Sequence, residues 1–261
     1  MNNLNLLDEL IPQISSDVVF VTGDFSFVPR MRLGKKNQAL DMIFKKILEK
    51  SDYATLVFPL ASLNLCNTKI PFSLNKTPSF QMGSFSEFLR QKNKTFRSLH
   101  PFWSVGAIGP LAEKLTDNIS PHAYAANSIW DRLCNYRAKQ ITIGKKVSDA
   151  VTTVHHCECI SGVPYRYTKE FYHPIKRNKI TKKELFYMFV CYRNADIKRN
   201  LNIKLFNYLR KKKLKINSTK LGEGKIYLYD CNDFVNKSKL YLRDNIYGWL
   251  DKIPKKRPYA K

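Results

Sequence analysis

Apolar residues follow two rhythms along the first sixty positions. Asp17–Phe25, DVVFVTGDF, is a short continuous apolar run that reads as a buried strand entering a turn. Gln38–Lys50 instead places Leu40, Ile43, Phe44, Ile47 and Leu48 at helical spacing, so one face of a helix is apolar. Tyr53–Leu60, YATLVFPL, is a second buried strand closed by Pro59. A strand, a helix and a strand in this order predict an α/β sheet. Asn5–Leu10 adds a short amphipathic helix ahead of them.

Further on, Ser84 with Glu87 three residues later forms a capping-box pattern at the start of a helix. His100-Pro101 reads as a turn, Val105–Ile108 as a short strand, and Pro110 as the first turn of a helix. Asn127–Tyr136 is another short helix, and Ala138–Gly144 a strand. Asp149–Glu158 follows that strand's end, where open α/β sheets bind ligands. Lys182–Tyr192 fits strand and helix equally well. Asn200–Lys213 is a helix with Ile203, Phe206 and Leu209 on its apolar side. Lys225–Asp230 is a strand, and Cys231–Asn245 a final helix. The pattern shows no repeat and no linker, so residues 1–261 are expected to form one domain ending in a basic tail at 255–261.

Composition narrows the class. With 261 residues, 44% hydrophobic and 13% aromatic, the chain can bury a sizeable core, and disorder over its whole length is excluded. It contains no apolar run of about 18 residues, and MNNLNLLDELIPQ lacks the basic start and apolar core of a signal peptide. The six cysteines are scattered, which suits reduced thiols and a cytoplasmic location. The formal charge is +24, and it is uneven: from Lys176 onward 24 lysines and arginines face only 7 acidic residues. Such a field attracts coenzyme A, nucleotides, nucleic acid or acidic lipid. Runs such as Arg210–Lys213 also end a predicted helix, where cations suit the helix dipole. No specific nucleic acid is therefore expected.

The densest chemistry lies in Val151–Ile160, VTTVHHCECI. If this stretch is helical, His155 and Glu158 share one face, and the carboxylate can orient the imidazole as a general base. His156 points about 100° away, and Cys157-x-Cys159 is not a usual zinc spacing. Acid–base, structural and metal-binding readings all remain open on these residues alone. His100, alone, reads as a loop residue bonded to backbone. Thr77–Gly83 is a loop that could touch a ligand, and Gly222–Gly224 is a turn before a strand. The absence of Walker and G-x-G-x-x-G patterns removes support for nucleotide hydrolysis and dinucleotide chemistry.

Taken in order, these segments resemble the aminoglycoside 3-N-acetyltransferase family. The matching residues are Thr77-Pro78-Ser79, Met82-Gly83, Glu87-Phe88-Leu89-Arg90, Arg97-Ser98, His100-Pro101, Ser104, Ala107, Gly109 and Ala112-Glu113. NSIWDRL is similar to the family's S-P-L-x-R-L helix, and ITIGKKVSDAVTTVHHCE to its D-S-N-T-S-x-H-x-x-E strand and loop. The C-terminal Leu205–Asn245 is similar to a closing helix–strand–helix. The resemblance implies a single α/β acyltransferase fold with a central mixed sheet flanked by helices. It implies acetyl-coenzyme A or another acyl-coenzyme A as co-substrate, no metal, and the amine of a small-molecule amino sugar as acceptor. His155 would be the general base, with Glu158 orienting it and Asp149 nearby. His100, Ser104, Ser98, Thr77, Ser79, Thr22 and Asp24 would line the substrate and coenzyme site. A homodimer is the candidate assembly.

Two departures stand out. The family's first strand ends V-H-S-S, whereas this chain has Val21-Thr22-Gly23-Asp24. The Asn-Thr-Ser before the histidine is Val151-Thr152-Thr153. Aminoglycosides are polycations, and a +24 protein repels them. Charge therefore points to an anionic, nucleotide-linked amino sugar used in surface-polysaccharide assembly. The alternatives are aminoglycoside acetylation conferring antibiotic resistance, a basic nucleic-acid or membrane-surface binder without catalysis, and a zinc protein built on His155, His156, Cys157 and Cys159.

Overall fold

The computed structural model describes residues 3–26, 28, 33–144, 153–193, 196–198, 206–221 and 224–257. The apolar run at the start is strand β1 (Val18–Gly23), followed by helix α2 (Lys36–Lys50) and strand β2 (Thr55–Pro59). Helix α1 (Asn3–Leu10) precedes them. β1 pairs in parallel with β2 on one side and with β5 (Lys139–Ile143) on the other. Strands β3 (Phe96–Arg97) and β4 (Val105–Ile108) add antiparallel to the β2 edge. Strands β8 (Asn217–Leu221) and β9 (Gly224–Asp230) add antiparallel to the β5 edge. The result is a seven-stranded mixed sheet in the order β3-β4-β2-β1-β5-β9-β8, flanked by helices as the sequence implied.

Strand alternation decides which side each residue serves. Val19 and Val21 face one core, built with α1, with Leu40, Ile43 and Ile47 of α2, and with Phe85 and Leu89 of α3 (Gly83–Arg90). Val18 and Phe20 face the other. That second core takes in α4 (Ala112–Thr116), α5 (Ile129–Asn135), α6 (Thr153–Ile160), α7 (Phe206–Lys211) and α8 (Cys231–Asp244). Trp130 of α5 meets Phe20 edge-on at 5.4 Å. Helices of five to eight residues are too short to persist alone, so burial of such side chains holds them. No helix among the described residues is long and apolar enough to cross a membrane.

Several local expectations change. Ser84 does not cap α3: Met82 occupies the cap position and Ser84 lies inside the helix. Glu87 instead accepts from the Ser79 backbone and hydroxyl at 3.1 Å and pairs with Arg90. The helix expected from Pro110 begins at Ala112 and makes barely more than one turn. The ambiguous 182–192 stretch is strand, part of β7 (Ile180–Cys191), which forms a long antiparallel hairpin with β6 (Arg166–Arg177). β6 escapes the apolar pattern because its sequence, RYTKEFYHPIKR, is dominated by charged and polar residues and contains Pro174. That proline sits at an edge, where its carbonyl accepts from Phe72 N at 2.9 Å. β8 also went unread. The expected 200–213 helix is seen from Phe206 to Lys211; its first residues, Gly222 and residues 258–261 of the basic tail lie outside the described residues.

Candidate active site

The C-terminal ends of β1 and β5 lie side by side, and α6 is the next described element after β5. α6 is anchored by Val154 and Cys157, both buried against α5 and α8. The helix turn then puts His155 and Glu158 on one face. Glu158 is fully buried, while the His155 side chain is 18% exposed. His155 Nδ1 donates to Glu158 Oε2 at 3.0 Å, because a buried carboxylate can only accept. Tyr165 OH donates to Glu158 Oε1 at 3.1 Å. Arg166 Nε lies 3.0 Å from Oε2, and Arg166 Nη1 donates to the Phe189 carbonyl at 2.8 Å. Burying a lone carboxylate costs several kcal/mol, and here three side chains compensate it. The resulting tautomer makes Nε2 the nitrogen for proton transfer.

Two aromatic rings frame the imidazole. Tyr124 lies 5.3 Å and Trp103 6.4 Å from it, centroid to centroid. Both rings are carried on loops folded around a histidine. His100 Nδ1 accepts from the backbone N–H groups of Phe102 and Trp103, at 3.3 and 3.0 Å. His122 Nδ1 accepts from those of Tyr124 and Ala125, both at 3.0 Å. Burial holds the His100 pKa down at about 4 and lowers that of His122. His100, expected at the pocket wall, is 2% exposed and shapes the Trp103 loop from within.

Most of the other expected site residues also serve the scaffold. Ser98 Oγ accepts from Val105 N at 3.0 Å, and Ser104 Oγ donates to the Leu60 carbonyl at 2.9 Å. Thr77 Oγ1 accepts from Ser73 N at 2.8 Å, and Ser79 is bound to Glu87. Arg97 gathers this region: its guanidinium donates to Ser104 Oγ and to the carbonyls of Leu60, Leu74 and Thr77, and it stacks on Phe72. Thr22 is buried within the sheet, 3.0 Å from Thr142 Oγ1, and accepts from Gln140 Nε2 at 3.2 Å. Asp24 sits at the strand's mouth, where its Oδ1 accepts from Ser26 N at 2.9 Å. A cleft of about 420 Å³ opens there, lined by Asp24, Ser26, Lys36, Gln81, Met82 and Ser84. Gly23 allows the close strand approach: a Cβ at this position would sit 2.3 Å from the Ile143 carbonyl oxygen. Asp149 lies outside the described residues.

The remaining polar residues of α6 diverge. His156 Nδ1 donates to the Tyr124 carbonyl at 2.7 Å. Burial pushes the Cys157 thiol well above its usual pKa and Cys159 up to about 11, so neither is a ready nucleophile at neutral pH. Among the described residues, no three His, Cys, Asp or Glu side chains converge to hold a metal ion. Tyr165, Arg166, Trp103 and Tyr124 were not anticipated. The one available signal was Val163-Pro164-Tyr165-Arg166, a turn that brings an arginine back towards the helix it follows.

The chain matches the family described as Aminoglycoside 3-N-acetyltransferase over residues 48–243. A curated relative, Aminoglycoside N(3)-acetyltransferase III of Salmonella sp, is 34% identical over 83 residues, covering 31% of this chain and 29% of the relative. That of Serratia marcescens is 32% identical over 99 residues, covering 36% and 35%. The match thus spans about a third of the curated relatives' length. Among solved structures, AAC-IIIb in binary complex with CoASH superposes with a TM-score of 0.77 at 18% identity, covering 97% of this chain and 99% of that one. AAC-VIa bound to sisomicin gives 0.69 at 19% identity, covering 93% and 95%. YokD from Bacillus subtilis gives 0.70 at 16% identity, covering 93% and 96%. At these identities the structural matches speak for the fold.

Proposed function

The chain belongs to the aminoglycoside 3-N-acetyltransferase family, and on that premise we propose that it is a coenzyme A-dependent N-acetyltransferase acting on an amine of an aminoglycoside-type sugar. The observation that carries the reading is the His155–Glu158 pair, with Nδ1–H fixed on a buried carboxylate and Nε2 left as the basic nitrogen. A protonated amine has no lone pair for attack. His155 accepts its proton, and Glu158 stabilises the imidazolium that forms. Tyr165 keeps the carboxylate from rotating away. Trp103 and Tyr124 give the ring an apolar surround that limits competing water.

The cleft beside Asp24 fits an acyl-coenzyme A arm. Lys36 offers a cation for a phosphate, Gln81 and Ser84 offer polar groups for amides, and Met82 offers an apolar contact. Bound there, acetyl-coenzyme A would supply the activated acyl group. Asp24 departs from the family's serine and adds a carboxylate at the cleft mouth.

The nucleotide-linked acceptor suggested by charge finds no support among the relatives. The curated relatives are named for aminoglycosides and one solved neighbour holds sisomicin, which favours the aminoglycoside reading over it. The test is thiol release from acetyl-coenzyme A with purified protein and a panel of aminoglycosides, nucleotide-linked amino sugars as the contrast. Turnover with an aminoglycoside, lost in a folded His155→Ala protein, is expected. No release with any aminoglycoside, or full activity in His155→Ala, would reject the proposal.

A further inference from the structure

Two helices end in the same kind of turn and open onto one cleft. At the end of α5, Arg137 N donates to the Cys134 carbonyl and Ala138 N to that of Leu133; at the end of α7, Lys213 N donates to Arg210 and Leu214 N to Leu209. These are Schellman turns, whose left-handed position glycine usually fills. Here Arg137 and Lys213 fill it, at φ 49° and 54°. A cation at a helix end ordinarily serves the last carbonyls or the dipole. Among the described residues, though, the side chains of Arg137 and Lys213 make no hydrogen bond and no ion pair; Arg137 is engaged only through its backbone. Lys215, two residues further on, makes none either. α7 has six residues and ends at Lys211, so its dipole does not account for Lys213 or Lys215.

The cleft holds about 570 Å³ and lies where β5 begins and β9 ends, whereas the cleft beside Asp24 lies past the other end of β1, which runs parallel to β5. Arg137, Lys139, Lys213, Lys215 and Lys237 line it, against two carboxylates. Both carboxylates are committed. Asp230 pairs with Lys139 at 3.0 Å and caps α8 by accepting from Asp233 N at 2.8 Å. Asp233 pairs with Lys237. Three cations are left over. The two acidic residues outside the described ones, Asp149 and Glu223, follow the opposite ends of β5 and β8 in the chain. The one aromatic residue of the lining, Tyr229, is 2% exposed and packs on Phe234, so no ring face is open to a nucleobase. We propose that this cleft binds a small anion carrying two phosphate groups, held by Arg137, Lys213 and Lys215. Three surplus charges match two phosphates of about −1.5 to −2 each, and guanidinium and ammonium groups are the donors phosphate takes. The ligand would sit apart from the acetyl-transfer site and could be bound together with its substrates.

In a chain of charge +24, the test must separate this cleft from the general field. Calorimetry of the whole protein with inorganic pyrophosphate at physiological salt reads affinity and saturation. Arg137, Lys213 and Lys215 are exposed residues, so replacing them should leave the fold intact. Arg137→Gln, Lys213→Gln and Lys215→Gln should each weaken pyrophosphate binding by about tenfold or more. Lys179→Gln, at the exposed tip of the β6–β7 hairpin, should leave it unchanged. ADP should bind about as tightly as pyrophosphate, because only its phosphates are met. Absence of saturable pyrophosphate binding overturns the proposal. So does an equal loss in Lys179→Gln, which would make overall charge the cause. ADP bound more than about tenfold tighter would mean that the base is read, and would overturn it as well. Duplex DNA that displaces pyrophosphate and is itself weakened by the three cleft variants would give the cleft to a nucleic-acid backbone, again against the proposal. Calorimetry needs no turnover, so a protein inactive towards every sugar would sink the proposed activity and leave this cleft to be judged by its own result.

Discussion

Replacing Glu158 by glutamine is the sharpest single test of the dyad. The substitution barely changes volume. Oε2 takes both His155 Nδ1 and Arg166 Nε at 3.0 Å, and Arg166 can only donate, so the amide oxygen keeps that position. The amide nitrogen then turns to the Tyr165 hydroxyl oxygen, which can accept, at the present Oε1 position. The fold should therefore survive with the Nδ1–H tautomer kept. What changes is the charge: the imidazolium formed as His155 takes the proton loses its carboxylate counter-charge. A loss in kcat of about 10²–10⁴-fold is expected, the usual range for general acid–base catalysis, equivalent to about 3–5 kcal/mol of barrier at 1.36 kcal/mol per tenfold. KM for the acceptor should change little, since Glu158 is fully buried. Thiol-release kinetics measure kcat, and ¹⁵N NMR of the imidazole reads the tautomer. A Glu158→Gln protein within tenfold of the parent, or one whose imidazole reverses its tautomer, would refute this reasoning.

Other consequences follow from the scaffold. Gly23→Ala should cost about 1–3 kcal/mol, because its Cβ meets the Ile143 carbonyl oxygen at 2.3 Å and strands β1 and β5 must part; an unchanged melting temperature would contradict this. Arg97→Met should destabilise by about 1–3 kcal/mol, the usual cost of leaving part-buried acceptors without their donor, and urea unfolding measures it. Burial holds the His100 pKa at about 4, below its unfolded value of 6.5. The unfolded chain therefore binds the extra proton first as pH falls, and stability is lost between about pH 6.5 and 4, by on the order of 3 kcal/mol. Comparing urea unfolding of the parent with that of His100→Asn across this range should show a flatter curve in the variant; parallel curves would assign the acid sensitivity elsewhere. Tyr165→Phe should lower kcat modestly with no change in fold, read by thiol release and circular dichroism.

The reach of the sequence was set by how local each feature is. β1, β2 and α2 announce themselves because each carries its whole pattern within its own residues: a continuous apolar run for each strand and a helical period for α2. His155 and Glu158 could be paired for the same reason, three residues apart on one helical turn. Arg166 and Tyr165 could not, because a turn after α6 brings them back to the helix, and nothing in a single arginine declares that it will be buried. The hairpin was half missed because charge sits on both faces: Glu170 lies on the outer one, while Lys169 and Lys182 fall on the same face as Phe171, Ile175 and Phe186, so neither strand alternates cleanly. His100 was legible as a histidine before proline bonded to backbone. Its burial, and the capping of the Trp103 loop by its ring, emerge only in three dimensions.

The pairing of β5 with β9 sets the order in which this protein can be made. Gln140 pairs with Tyr229, and Ile141 with Leu228, so during synthesis β5 leaves the ribosome nearly ninety residues before its partner. Through that interval one edge of the central sheet is bare, and α6, which leans on α8, has no floor. The setting of the His155–Glu158 pair is thus completed last. A nascent chain stopped before β9 offers an open strand edge to its neighbours and no floor for α6, and folding must wait on the last-made contacts in the sheet.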